Sequence, residues 1–152
     1  MTSELSDDLT DAARELNSRG ARNYTVSFGV FPAAGVGEGS LQEIVHACLG
    51  TQARLGGATI SSTAEVVSTV RWALEYRGDD ELHPNLRCVD GMRDSGRIDS
   101  LVHSVELLVT EADLIAEIWL SEGHPFYPVF WDFAFVVSHG QDGLILVGSS
   151  SD

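Results

Sequence analysis

The chain has 152 residues, a formal charge of −14 and no lysine at all, its nine cations being arginines set against twenty-three Asp and Glu. Affinity for nucleic-acid phosphates and for anionic membranes comes chiefly from Lys and Arg, so this composition argues against both partners and leaves cationic ones. The length fits one domain over 1–152, able to bury roughly 68 to 70 % of the surface its unfolded chain exposes. A hydrophobic fraction of 43 % beside 21 % charged residues belongs to a folded protein rather than to a disordered acidic tail.

The missing lysine has compositional origins too, a GC-rich coding sequence or adaptation to a salty cytoplasm, and these stand evenly beside a functional acidic face. Cys48 and Cys88 have no C-x-x-C spacing, so they are read as free, buried thiols, with neither a disulfide framework nor a zinc motif. The start, Met1-Thr2-Ser3-Glu4-Leu5, lacks the basic and apolar stretches of a signal peptide. The longest apolar run, Val129 to Val137, is interrupted by Asp132 and falls short of the about 20 residues that span a bilayer. A cytoplasmic protein is expected.

Residues 4–19 are expected to form a helix, with Leu5, Leu9, Ala12, Ala13 and Leu16 on one face and Gly20 at its stop. Asp7, Asp8 and Asp11 lie in its first turns, at the positive end of the helix dipole. Tyr24 to Phe31 alternates like a strand, ended by Pro32. A glycine-rich stretch, Ala34-Gly35-Val36-Gly37-Glu38-Gly39, leads into Ser40, which with Glu43 forms an S-x-x-E capping box. Leu41, Ile44, Val45, Cys48, Leu49 and Leu55 predict a helix over 41–55 stopped by Gly56-Gly57, with 58–61 a short strand at best. Ser62 and Glu65 repeat the capping box and open a helix over 63–76, although the β-branched and aromatic content of 66–76 also fits a strand.

Residues 78–97 have the composition of a loop of about 20 residues, a length usually kept for function. From Ile98 the apolar positions allow one helix to about Leu120, a hairpin, or a strand followed by a helix. Val129 to Val137 is the clearest strand and is apolar on both faces, as a central strand should be. The turn Gly140-Gln141-Asp142-Gly143 and the segment Leu144 to Val147 complete a C-terminal β-hairpin, with 1–3 and 148–152 frayed. The fold class is therefore α+β, a single domain of several helices packed on a mixed or antiparallel sheet.

Strand, glycine stretch and capped helix have the layout of an anion-binding turn. The third glycine of a dinucleotide fingerprint is missing, however, no lysine is available for a Walker loop, and Glu38 would oppose an anion. Glycines that simply let the chain turn into a helix are the more economical interpretation. The histidines His46, His83, His103, His124 and His139 have no metal-ligand spacing, so neither metal nor cofactor is assigned. Asp132, between Trp131 and Phe133, stands out as a carboxylate in the most apolar segment. If buried it is either perturbed toward chemistry or paired with an arginine. Half of the twelve aromatic residues fall between Phe126 and Phe135, where Tyr127 and the prolines form a lip suited to a partner.

Two functions from different classes fit. The first is a small acidic, non-catalytic binding protein, in size and charge like an immunity-type inhibitor of a basic toxin or nuclease. Its partner-binding residues would be Asp79, Asp80, Glu81, Asp90, Asp94 and Tyr127, joined by Trp72 and Tyr76 if that helix is exposed. The alternative is a small-molecule-binding domain or enzyme using Gly35, Gly37, Gly39 and Ser40, with Asp132 or a histidine as acid or base.

Overall fold

The computed structural model describes residues 2–17, 25–76, 92 and 95–151. In chain order these form α1 (Thr2–Asn17), β1 (Thr25–Ala33), α2 (Leu41–Leu49), β2 (Arg54–Ile60), α3 (Thr63–Glu75), α4 (Arg97–Val109), β3 (Leu114–Glu122), β4 (Trp131–His139) and β5 (Asp142–Ser151). The strands make one antiparallel sheet in the order β1-β5-β4-β3-β2. This is the expected α+β class with its C-terminal hairpin.

Alternation along the strands divides the interior into two cores. Val26, Phe28 and Val30 of β1, Phe133, Phe135 and Val137 of β4, and Leu144 and Leu146 of β5 pack with the apolar stripes of α1, α3 and α4. Ala134, Val136, Ile145 and Val147 point the other way, onto Ile44 and Val45 of α2 and onto Phe126 of the 123–130 connection. Because β4 and β5 are covered on both sides, both of their faces are apolar, as Val129 to Val137 indicated.

Several boundaries differ from expectation, each for a local reason. The second helix ends at Gly50, whose φ of 103° favours glycine, rather than at Gly56. Gly56 and Gly57 instead lie inside β2, because the Trp119 ring covers them: a Cβ on Gly57 would stand 1.8 Å from it. Pro32 does not end β1 but pairs with Leu144, which is tolerated because β1 is an edge strand. Over 97–122 the order is helix then strand, a combination none of the three expectations held. The Asp113 N–H is captured by Ser138 O at 2.8 Å, which turns the chain into the sheet although the apolar spacing runs on. The tail is not frayed: Gly148 to Ser151 pairs with β1, and Ser149 and Ser150 are buried. At the other end, the first helix already begins at Thr2.

Candidate functional site

The glycine-rich turn closes on itself. Gly37 N–H donates to Gln141 O at 2.8 Å and Gly39 N–H to Val36 O at 2.9 Å. Gly35 N–H meets the Asp142 carboxylate at 3.3 Å, and Ser40 N–H donates to the Glu43 carboxylate at 2.6 Å. The amides of Gly35, Gly37, Gly39 and Ser40 therefore each have an internal acceptor, two of them carboxylates. Hydrogen bonding by Ser40, from its backbone N–H first and its side chain second, holds the Glu43 carboxyl below the usual range. The capping box expected from Ser40 and Glu43 is present, and so is that of Ser62 and Glu65.

Asp132 lies far from that turn. It pairs with Ser149 near the start of β4, whereas the turn packs against the β4–β5 connection at the other end. Seven residues of strand, at about 3.3 Å each, put more than about 20 Å between them. Gly35, Gly37, Gly39 and Ser40 thus do not share a site with Asp132. Nor is Asp132 buried; its side chain keeps 44 % of its exposure.

A histidine does accompany it. His124 Nε2 stands 3.5 Å from Asp132 Oδ2, an ion-pair rather than a hydrogen-bond distance. On the other side of the ring, Phe126 N–H donates to Nδ1 at 3.0 Å. The Phe126 carbonyl stands at the same 3.0 Å from Nδ1, so both backbone groups of Phe126 face that nitrogen, while Nε2 is buried with no hydrogen-bond partner among the described residues. His139 is also engaged: Nε2 lies 2.7 Å from Leu108 O and Nδ1 3.2 Å from Glu111 O, covering carbonyls at the end of α4. It borders a cavity of about 430 Å³ between β1 and α4, with Leu107, Glu111 and Asp142. Cys48 is free, and burial pushes its thiol up to about 11 despite a hydrogen bond with Ile145, so it is a poor nucleophile at neutral pH. Among the described residues no three His, Cys, Asp or Glu side chains converge as a metal site.

The sheet itself opens beside Asp132. β3 and β4 pair only from Leu114↔Ser138 to Glu117↔Phe135. Beyond that point β3 continues with β2 alone and β4 with β5 alone. The 123–130 connection explains the parting, because Val129 and Phe130 both donate to Ser150 O, at 2.9 and 3.1 Å, tying the start of β4 toward β5. The resulting opening, about 310 Å³, is lined by Thr59, Glu117, Ile118, Trp119, Asp132 and Phe133. Trp119 is half exposed, and in the 123–130 connection Tyr127, Val129 and Phe130 are exposed as well, Tyr127 at 88 %.

From the opening an aromatic row runs toward α3. Phe133 stacks with Trp131 at 6.3 Å between ring centres. Trp131 in turn meets Trp72 and Tyr76 edge-on at 5.5 and 5.7 Å. Trp72 is half exposed, whereas Tyr76 is partly buried against the core. Asp79, Asp80, Glu81, Asp90 and Asp94 lie outside the described residues, as do His83 and Cys88. Glu117 and Trp119 are the residues that sequence inspection missed. Their signal was the alternation Ile115, Glu117, Trp119, which puts both on one face of a strand once a helix is set aside.

No helix of the described residues is long and apolar enough to cross a membrane. No family model matches the chain, and no curated protein and no solved structure is significantly similar to it.

Proposed function

We propose that this chain is a small acidic, non-catalytic binding protein that neutralises a basic protein partner, in the manner of an immunity-type inhibitor. The observation that carries this reading is the surface around Asp132. Glu117, Trp119 and Asp132 are exposed at the opening between β3 and β4, and the connection that leads into β4 exposes Tyr127, Val129 and Phe130. Interfaces gain most of their affinity from a few aromatic anchors, and charge complementarity speeds encounter and selects the partner. The net charge of −14 gives every approaching cationic protein a favourable long-range field. The cytoplasm is the compartment in which an unpaired thiol such as Cys48 persists.

The small-molecule alternative has less support. The amides of Gly35, Gly37, Gly39 and Ser40 have internal acceptors, and that turn lies at the end of β4 away from Asp132. The experiment is a pull-down from native lysate at low salt, eluted by a salt gradient, with the bound protein identified by mass spectrometry. One basic protein, released progressively as salt rises, is the expected result. Retention of nothing specific, or of a partner indifferent to salt, overturns the reading and turns attention to ligands of the 430 Å³ cavity.

A further inference from the structure

We infer that the free edge of β2 is a docking surface for a second copy of this chain, the two β2 strands pairing antiparallel so that one sheet runs through both molecules. The inference goes beyond the binding-protein reading and does not rest on it.

The two edges of the sheet are built differently. β1 is guarded: Val26 and Phe28 to Val30 are buried, Asn17 accepts from the Val26 N–H at 2.9 Å and donates to the Val26 C=O at 2.8 Å, and Pro32 has no N–H to offer. On β2 Gln42 guards the start alone, taking the Ala53 C=O and the Leu55 N–H at 3.2 and 2.9 Å. Further along, Ala58, Thr59 and Ile60 are exposed, Ile60 at 72 %.

The register fixes which backbone groups face outward there. Ser61 N–H donates to Ile115 O at 2.9 Å, and Ile60↔Ala116, Thr59↔Glu117 and Ala58↔Ile118 continue the same pairing. Bonded and non-bonded pairs alternate along an antiparallel ladder, so Ser61 and Thr59 turn their N–H and C=O toward β3, and Ile60 and Ala58 turn theirs away from the sheet. Leu55 to Ile60 also carries no charge and no proline, the usual devices that stop an edge from pairing.

A second copy complements this edge in every respect. Turned about a two-fold axis at Thr59, Ala58 of each copy stands opposite Ile60 of the other, and their outward N–H and C=O groups satisfy one another. Ala58 and Ile60 share the α2 face of the sheet with Ile118 and Ala116, so each exposed Ile60 covers the second copy's Ala58. On the opposite face Thr59 meets its own counterpart. Gly57, beneath the half-exposed Trp119 ring, comes opposite Ser61 of the second copy. The antiparallel sense also sets the end of β2 that carries Arg54 beside the end where Glu65 caps α3, an opposite-charge match at both ends of the seam. A strand from a basic protein would find no carboxylate on 55–60 to select it. The seam is short beside a standard interface of roughly 1,600 Å², so association is weak, and the net charge of −14 on each copy opposes it until salt screens the repulsion.

The test is sedimentation equilibrium of the full chain from micromolar to millimolar concentration, at low and at high salt, with amide hydrogen exchange read at Ala58, Thr59 and Ile60. The mass is expected to rise toward twice that of one chain, at lower concentration in high salt. The Ala58 and Ile60 amides should slow with it, while that of Thr59, bonded within the sheet, is protected throughout. Ala58→Pro removes an outward N–H without touching the ladder to β3, and Ile60→Lys puts a charge on the seam. Each should weaken association at least tenfold with Thr59 still protected. A single chain at every concentration, a dimer whose Ala58 and Ile60 amides exchange as in the monomer, or a dimer indifferent to both substitutions would overturn the pairing.

Salt separates this proposal from the preceding one, since it strengthens the pairing and weakens capture of a basic protein. A chain that self-associates but retains nothing from lysate keeps the pairing and loses the inhibitor reading. A chain that captures a basic protein through the β2 edge, losing it in Ala58→Pro, and never self-associates assigns that edge to the partner and overturns the pairing.

Discussion

Ser150 is fully buried in β5, yet its hydroxyl has no hydrogen-bond partner among the described residues, and the indole N–H of Trp131, directly opposite on β4, has none either. A buried hydroxyl without a partner costs about 1 to 3 kcal/mol. Ser150→Ala is therefore expected to raise stability by about 1 kcal/mol in urea denaturation, and a loss of stability would mean that the hydroxyl is satisfied after all. Glu43 illustrates the opposite case, a charge that the fold favours. Its carboxyl is held low by hydrogen bonds from Ser40, so the stabilisation is complete above the usual carboxylate pKa and disappears as pH falls through the lowered folded value. Relative to Glu43→Gln, the wild-type melting temperature should drop more steeply between pH 5 and pH 3. Parallel curves would show that the neutral amide serves the cap equally well. That Ser40 and Glu43 pair could be read in the sequence because a capping box is local. The exposure of Asp132 could not, since it depends on β3 leaving β4 at a distance of fifteen residues along the chain.

At the scale of elements, the hairpin of β2 and β3 depends on one aromatic ring lying over two glycines. Adding a methyl at Gly57 would place it 1.8 Å from Trp119, so in Gly57→Ala the ring must swing away. Overpacking a well-filled interior costs about 1 to 3 kcal/mol, and the half-exposed ring has solvent to move into, so about 1 kcal/mol is expected by urea denaturation. The same displacement should shift the Trp119 indole resonance. An unmoved resonance would place the ring elsewhere. This contact also explains why the end of α2 was misplaced: Gly56-Gly57 has the look of a helix stop, and only the partner strand reveals that these glycines make room for a side chain. Amphipathic helices with local caps, such as α3, were legible. The strand of 114–122 was legible only within the hairpin alternative, because apolar residues at three- and four-residue spacing continue across Thr110, and the decisive bond from Asp113 to Ser138 joins two distant segments.

For the whole molecule, the order β1-β5-β4-β3-β2 makes the C-terminus structural. β5 lies between the first strand and the fourth, so Thr25 pairs with Ser151 across nearly the full length of the chain. Polar, serine-rich residues after Val147 resemble a loose tail, yet Ser27, Ser149 and Asp132 are cross-strand neighbours, and Gly148 lies between Phe28 and Phe133. Their burial comes from the strands on either side rather than from their own hydrophobicity, which is why composition alone misjudged them. Deleting 148–152 would leave Thr25 to Phe28 without a partner strand and uncover the Phe28, Trp131 and Phe133 rings that pack there. Domains of this kind are stable by only about 5 to 15 kcal/mol, and several backbone hydrogen bonds at about 1 kcal/mol each, together with that apolar burial, amount to a large share of it. The truncated chain is expected to lose its cooperative thermal transition by circular dichroism, with the pairing of β1 lost first in hydrogen exchange. A sharp transition within about 5 °C of the full chain would mean that β4, β3 and β2 with their helices hold the fold without the closing strand. Because β1 can dock only after β5 has formed, the sheet is completed by its most non-local pairing, the kind that folds slowly.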